Sequence, residues 1–184
     1  TLQRCYNAET MRAKEFMSYC PHCGSNSFKG VSDKEMHCEE CGFRFFPNAA
    51  AAVALIIENE NGEIMLTRRA IAPNKGALDL PGGFVDPDES AEEAIRREVA
   101  EELNAEVTSM KYLTSAPNAY LFSGYTVMTC DMGFSVTLQK YNALSAQDDI
   151  SAIEWYSRDN IVDAMKEIAS PSIKKIIEFY LDNR

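Results

Sequence analysis

Between Ser90 and Ala105 the apolar and acidic positions recur with a helical period. At about 100° per residue, Ile95, Val99 and Leu103 fall within roughly 40° of one line, and Glu98, Glu101 and Glu102 share an arc of roughly 100° beside that stripe. Ser90 with Glu93 makes a capping box, which places the helix start near Ala91. Ala91 and Ala94 lie in the acidic arc one to two turns earlier, so the pattern predicts open ground in front of the carboxylates. Upstream, Pro81-Gly82-Gly83 interrupts the periodicity with a turn whose backbone can approach a ligand closely.

The remaining elements follow from the same kind of pattern. Ala49 to Ile57 is a short apolar run that suits a buried strand. Asn59-Glu60-Asn61-Gly62 supplies a turn, and Glu63 to Arg68 returns as its partner in a hairpin ending at Arg68 and Arg69. Ala70 to Leu80 reads as a loop. Glu106 to Ala116 and Tyr120 to Leu138 read as strands interrupted by Gly124 and Gly133. An acidic loop at Asp148-Asp149 leads into a strand through Trp155. Residues 158 to 184 give two amphipathic helices split near Ser170-Pro171, with Ile161, Met165, Ile168 and Ile173, Ile176, Ile177, Tyr180 as buried stripes. Toward the N-terminus, a short helix from Glu9 to Phe16 and a strand carrying Phe43, Phe45 and Phe46 around Arg44 complete the pattern.

Composition bounds what these elements can be. A chain of 184 residues, 46% hydrophobic and 25% charged, has the profile of a soluble globular protein with room for one ordinary domain and a small module. We divide it into an N-terminal segment (1–18), a cysteine module (19–46) and a main domain (47–184). No apolar run approaches the ~20 residues that cross a bilayer, and no secretory signal is visible, so a cytoplasmic protein without a membrane partner is expected. The sequence begins at Thr1 rather than methionine, as a trimmed or replaced start would. A formal charge of −10 opposes binding of DNA or long RNA, whose affinity rests on basic surface, but leaves room for a small phosphorylated substrate held locally.

Two features carry chemistry. Cys20-Pro21-His22-Cys23-Gly24 and Cys38-Glu39-Glu40-Cys41-Gly42 are paired C-x2-C-G knuckles. Two-residue spacing lets Cys20, Cys23, Cys38 and Cys41 grip one tetrahedral Zn²⁺, and with all four positions filled by protein the ion would be structural. A pair of disulfides or buried free thiols is the alternative, disfavoured by a reducing compartment and by the regular C-x2-C spacing. His22 and His37 read as neighbours of the ligands rather than ligands, and Cys5 and Cys130 as packing or surface thiols. The second feature is the acidic arc itself. Like charges three or four residues apart destabilise a helix by a few tenths of a kcal/mol per pair, so something cationic should compensate. Hard divalent ions such as Mg²⁺ or Mn²⁺ bind carboxylate and carbonyl oxygens together with substrate phosphates. A merely solvated acidic face is the alternative.

The spacing Gly83-x5-Glu89-x7-Arg97-Glu98-Val99-x-Glu101-Glu102-x-Asn104-Ala105 resembles the signature of the Nudix hydrolases. Asn104 stands where that family has glycine, and asparagine is the residue next most tolerant of a left-handed helix end. The resemblance implies an α+β fold, the Nudix α/β/α sandwich with a mixed sheet, here preceded by a zinc ribbon. It implies hydrolysis of the phosphoanhydride of a nucleoside diphosphate linked to another moiety. Glu98 and Glu102 would be the first ligands of Mg²⁺ or Mn²⁺, Glu101 a ligand or proton acceptor, and the Gly82 carbonyl a completing donor. Arg97 would orient a glutamate, Gly83 and Glu89 would shape the loop and helix entry, and Asp149 would be a further acid. Ser115, Pro117, Tyr120 and Ser123 resemble part of an array found in the NADH pyrophosphatase subfamily, which also carries a four-cysteine ribbon and favours a homodimer. Arg68 and Arg69 suit a phosphate or an adjacent acid by guanidinium geometry, and Arg68, Arg69 and Tyr120 are the substrate candidates. A nucleotide-sensing regulator and a zinc-ribbon interaction module are the readings from other classes.

Overall fold

The structure, a computed structural model, describes residues 12–122 and 124–183. Cys5, Ser123 and the part of the expected first helix before Arg12 lie outside the described residues. The chain forms two compact units. One runs up to Ala49 and takes in Ala119–Thr129; the other comprises Ala50–Asn118 and the chain from Cys130 onward. Division by sequence alone, at residues 46 and 47, leaves out the 119–129 stretch. Tyr125 accounts for it, because its ring lies 5.2 Å from that of Phe16 and packs on the core of the first unit.

In the first unit a short helix α1 (Ala13–Phe16) precedes strands β1 (Phe28–Ser32), β2 (Glu35–Cys38) and β3 (Arg44–Phe45), which pair antiparallel in that order. The core is small: Ala13, Cys20, Phe28, Met36 and Cys38 are buried together. The expected aromatic strand is reduced to two residues on β2, and Phe46 beyond it is exposed.

The second unit contains β4 (Ala50–Ile57), β5 (Ile64–Arg69), β6 (Leu78–Asp79), α2 (Ala91–Leu103), β9 (Ile150–Tyr156), α3 (Arg158–Ala164) and α4 (Pro171–Asp182). Between α2 and β9 run the long strands β7 (Val107–Phe122) and β8 (Tyr125–Leu138), whose far ends belong to the first unit. Two sheets form, in the orders β4-β8-β7 and β6-β5-β9. This corrects the expected β4–β5 hairpin: the turn at Asn59–Gly62 is present, but beyond one bridge at Glu58–Ile64 the two strands part into different sheets. Gly133 does not interrupt β8 either; the chain reverses around Gly124 instead.

β4 explains the layering. Val53, Leu55 and Ile57 bury against Ala94, Ile95, Val99 and Leu103 of α2, while Ala54 and Ile56 on the other face bury with Ile161, Ile173, Ile176 and Ile177 of α3 and α4. A strand covered on both faces reads as a continuous apolar run, as the sequence from Val53 to Ile57 does. The result is the expected α+β sandwich, helices outside and strands between. Ala94 is wholly buried in it, so the ground expected to be open around this alanine is core. Among the described residues no helix is long and apolar enough to cross a membrane.

Candidate active site and metal centres

Local chemistry fixes the ends of α2. Ser90 accepts the Glu93 N–H while Glu93 accepts that of Ser90, closing the capping box. At the other end Asn104 takes the left-handed conformation (φ 51°, ψ 49°), with Asn104 and Ala105 donating to the carbonyls of Ala100 and Val99. The helix presents Glu98 and Glu102, only 8% and 5% exposed, beside the glycine turn, and leaves Glu101 exposed. The Gly82 N–H donates to Glu102 Oε2 at 2.9 Å. At φ 130° a Cβ on Gly82 would collide with the Val53 carbonyl, and one on Gly83 would collide with the Glu98 carboxylate. Gly82 is therefore required by the close approach of the β4 backbone, and Gly83 leaves room for the Glu98 carboxylate where it now lies. The carbonyls of Pro81 and Gly83 accept from Leu55 and Val53 of β4, whereas that of Gly82, between them, accepts no hydrogen bond among the described residues.

Arg97 organises the acids. Its guanidinium bridges both oxygens of Glu89 (3.0 and 2.9 Å), Glu98 Oε1 (2.8 Å), Glu101 Oε2 (3.1 Å) and the Phe84 carbonyl (2.9 Å). The fork geometry of arginine makes one side chain sufficient for all four partners. Its hydrogen bonds, with that of the Asp86 N–H, hold the Glu89 carboxyl below the usual range. Glu98 behaves oppositely: burial pushes its pKa up, Arg97 opposes this, and Glu101 and Asp148 add repulsion. Burial lifts Glu102 to about 8, the Gly82 hydrogen bond pulling down and Glu98, Asp79 and Asp149 pushing further up. Arg97 and the Gly82 N–H offset only part of the cost of burying these two charges.

Residues far apart in sequence join this centre through a strap that the sequence pattern does not reveal. The Ser145 and Gln147 N–H groups donate to the Leu103 and Glu102 carbonyls at the end of α2, and Ala70 N–H donates to the Asp149 carbonyl. Orphan carbonyls at a helix end thus fasten the loop that carries Asp148 and Asp149 close enough to repel Glu98 and Glu102. Asp148, at φ 50°, is a residue that sequence reasoning misses; only its place in an acidic pair hints at it. Trp155 is half-buried on the α2 side, its ring 6.3 Å from that of Tyr141. Tyr120 lies half-buried on β7 in the stretch that groups with the first unit, with Ser115 and Pro117 exposed on the same strand.

Of the two substrate candidates on β5, Arg68 is engaged by Glu154 in a two-point pair (2.6 and 3.1 Å) and by Glu167 at 3.0 Å. Arg69 donates to Asp79 at 3.2 Å and to the Pro73 carbonyl at 2.9 Å. The structure thus places both against adjacent acids.

The cysteines converge in the first unit. All four Sγ atoms lie within 4.8 Å of one another, with Cys20–Cys41 and Cys23–Cys38 both at 3.7 Å. A tetrahedron with Zn–S bonds of about 2.3 Å has edges of about 3.8 Å, which these two separations match, so the four thiols suit a zinc ion. The two knuckles repeat one backbone pattern: Gly24 and Gly42 (both φ 76°) donate to the Cys20 and Cys38 carbonyls, and the Cys20 and Cys38 N–H groups donate to Ser25 and Phe43. Desolvation raises the Cys20 thiol, but hydrogen bonds from the Cys23 and His22 amides win and bring it down to about 7. His22 instead stacks on Phe43, 5.8 Å between centroids.

Among the described residues no other set of three or more His, Cys, Asp or Glu ligand atoms converges as closely. The acidic centre nevertheless fits Mg²⁺ or Mn²⁺ in kind, an all-oxygen donor set with buried, under-compensated carboxylates beside the Gly82 carbonyl.

A glycine turn packed against a helix of buried glutamates, in this sandwich, defines a Nudix domain. The sequence matches the NUDIX domain family over residues 48–178, and the chain belongs to that family. Among curated proteins it is similar to the NAD-capped RNA hydrolase NudC of Pseudomonas fluorescens, 28% identical over 168 residues covering 90% of this chain and 56% of that protein. It is also similar to the chloroplastic Nudix hydrolase 19 of Arabidopsis thaliana, 29% identical over 152 residues, 80% of this chain and 34% of that one. The chain therefore spans about half the length, or less, of these relatives. A NUDIX hydrolase from Nitrosomonas europaea shares the fold with a TM-score of 0.68 at 23% identity, covering 91% of this chain and 92% of that one.

Proposed function

We propose that this protein is a divalent-metal-dependent pyrophosphohydrolase that cleaves the phosphoanhydride of a nucleoside diphosphate linked to another moiety. NADH and ADP-ribose are the leading candidates, and a NAD-capped RNA end joins them through the name of the NudC relative. The observation that carries the reading is the pair of buried glutamates, Glu98 and Glu102, held at a glycine turn with more negative charge than their surroundings offset.

Glu98 and Glu102 are the residues to hold Mg²⁺ or Mn²⁺, with the Gly82 carbonyl, Glu101 and Asp149 as further oxygen donors. Such an ion supplies Lewis acidity and charge neutralisation at the phosphates. The chain's own residues do the rest. The Gly82 N–H keeps Glu102 turned toward the turn. Arg97, itself anchored by Glu89, holds Glu98 and Glu101, and the exposed Glu101 serves either as a ligand or as the acceptor of the attacking water's proton. Attack in line on one phosphorus releases a nucleoside monophosphate and a second phosphorylated product. Retention of every acid in the signature argues against a sensor that binds without cleaving. The four cysteines are read as a structural Zn²⁺ site, and resemblance to the NADH pyrophosphatases extends the reading to a homodimer.

The experiment is a panel of NADH, ADP-ribose, diadenosine polyphosphates, a nucleotide sugar and NAD-capped RNA, incubated with Mg²⁺ or Mn²⁺ and resolved by product mass. Two phosphorylated products appearing only with metal support the reading. Turnover unaffected by chelation would overturn it.

A further inference from the structure

Arg69 and Asp79 are absent from the signature, yet their contacts converge on it. Asp79 ends β6 opposite Thr67 of β5, and three residues later the chain reaches Gly82. One carboxylate oxygen of Asp79 accepts the Leu80 N–H at 2.9 Å, fixing the first peptide of the turn; the other accepts from Arg69. Arg69 sits inside the 70–77 loop, its Nε on the Pro73 carbonyl, its main-chain N–H on Ala77 and its carbonyl accepting from Gly76. The next residue, Ala70, donates to the Asp149 carbonyl at 2.7 Å. One corner of β5 thus touches the 70–77 loop, Asp79 at the entry to the glycine turn and the Asp149 loop, and both Asp79 and Asp149 act on Glu102.

We propose that the Arg69–Asp79 pair is a positioning device, setting the peptide from Leu80 to Gly82 so that the Gly82 N–H meets Glu102 and the neighbouring carbonyl meets the cation. Asp79 fixes the Leu80 end of a turn that β4 also holds at Pro81 and Gly83, and Arg69 holds Asp79. This rests on the proposed function only for the identity of the cation; the Gly82–Glu102 hydrogen bond can be followed independently of it.

A positioning role and a purely electrostatic role differ in sign. Removing a positive charge near a carboxylate site should tighten Mn²⁺ binding, and removing a negative one should loosen it. If the pair acts as a lock, Asp79→Asn and Arg69→Met both loosen it. Partners one step behind a metal ligand are worth about 10- to 100-fold in affinity, which sets the expected loss at about tenfold for each variant. The double variant should lose about the same factor as either single variant, because the lock is already open.

The test is calorimetric titration with Mn²⁺ alone, with hydrogen exchange of the Gly82 amide followed by NMR in the metal-free protein. Melting curves establish that each variant is folded, and Arg69→Lys is the milder substitute should Arg69→Met not fold. Weaker Mn²⁺ binding in both single variants, no further loss in the double, and faster Gly82 exchange support the proposal. Opposite signs for the two variants, multiplicative losses, or Gly82 exchange equal to the parent protein would overturn it. Failure of the panel to yield a substrate would strike the proposed function, whereas Gly82 exchange in the metal-free protein reads the lock whatever the substrate.

Discussion

The cysteine cluster and the carboxylate cluster solve opposite problems. Four thiols converge within 4.8 Å of one another, each knuckle turned by the same backbone bonds, so protein groups fill every position of that site. The glutamates do not converge in this way. Arg97 holds Glu98 and Glu101, Gly82 holds Glu102, and burial acts against ionisation of the two buried acids. A structural site gains from being closed, because a fully ligated ion joins the fold it holds. A site that must admit phosphate has to stay incomplete, with part of its coordination left for substrate.

The largest effect expected to break this comparison comes from the acids. Glu98→Gln or Glu102→Gln should lower kcat on the order of 10² to 10³ with little change in melting temperature; full turnover by either at saturating Mg²⁺ would remove it from the site. Next is Arg97→Lys, which keeps a charge but loses the fork to Glu89, Glu98 and Glu101. A loss of about 10- to 100-fold in kcat is expected, with a higher Mg²⁺ requirement in the activation curve. In the other cluster, Cys38→Ser should abolish stoichiometric zinc in elemental analysis, and an unchanged zinc content would show that the four thiols are not its ligands.

A smaller effect reads the burial of Glu102. Its folded pKa of about 8 lies above the unfolded value of 4.5, so between those values the folded chain binds the extra proton. The contribution of Glu102 to stability is accordingly greatest below the unfolded pKa and is lost as pH rises through about 8. Metal-free protein should melt progressively lower across that window, and the gain in melting temperature on adding Mn²⁺ should grow with pH, since the ion takes the place of the proton. A gain independent of pH would contradict the assignment. The smallest change concerns the end of α2: Asn104→Gly removes a side chain from a left-handed position and should raise stability by less than about 1 kcal/mol by thermal melt, without loss of activity.

What is legible in the sequence is what is local. The capping box, the helical stripe, the left-handed Asn104 and the cysteine spacing are each written in a few neighbouring residues, and each appears where expected. The parting of β4 and β5 into different sheets is hidden because a turn at Asn59–Gly62 fixes only the chain reversal, while partner choice is set by what covers each strand. Ala94 reads as open space because periodicity places a residue on an arc without saying what faces it. The strap from Ser145 and Gln147 to α2 is made of main-chain bonds, which carry no side-chain code, and so nothing local marks Asp148. Arg68 and Arg69 are readable as acid-binding or phosphate-binding; the identity of their partners, Glu154, Glu167 and Asp79, depends on long-range pairing.

The central claim is that Glu98 and Glu102 serve a cation that makes a pyrophosphate cleavable by water. Its most direct measurement is mass spectrometry of the products formed from ADP-ribose and NADH in ¹⁸O-labelled water with Mn²⁺. The expected result is one ¹⁸O in a single phosphorylated product, formed by the parent protein and nearly absent with Glu98→Gln. Absence of labelled phosphate product from both compounds, or equal labelling by the parent and Glu98→Gln, would contradict it.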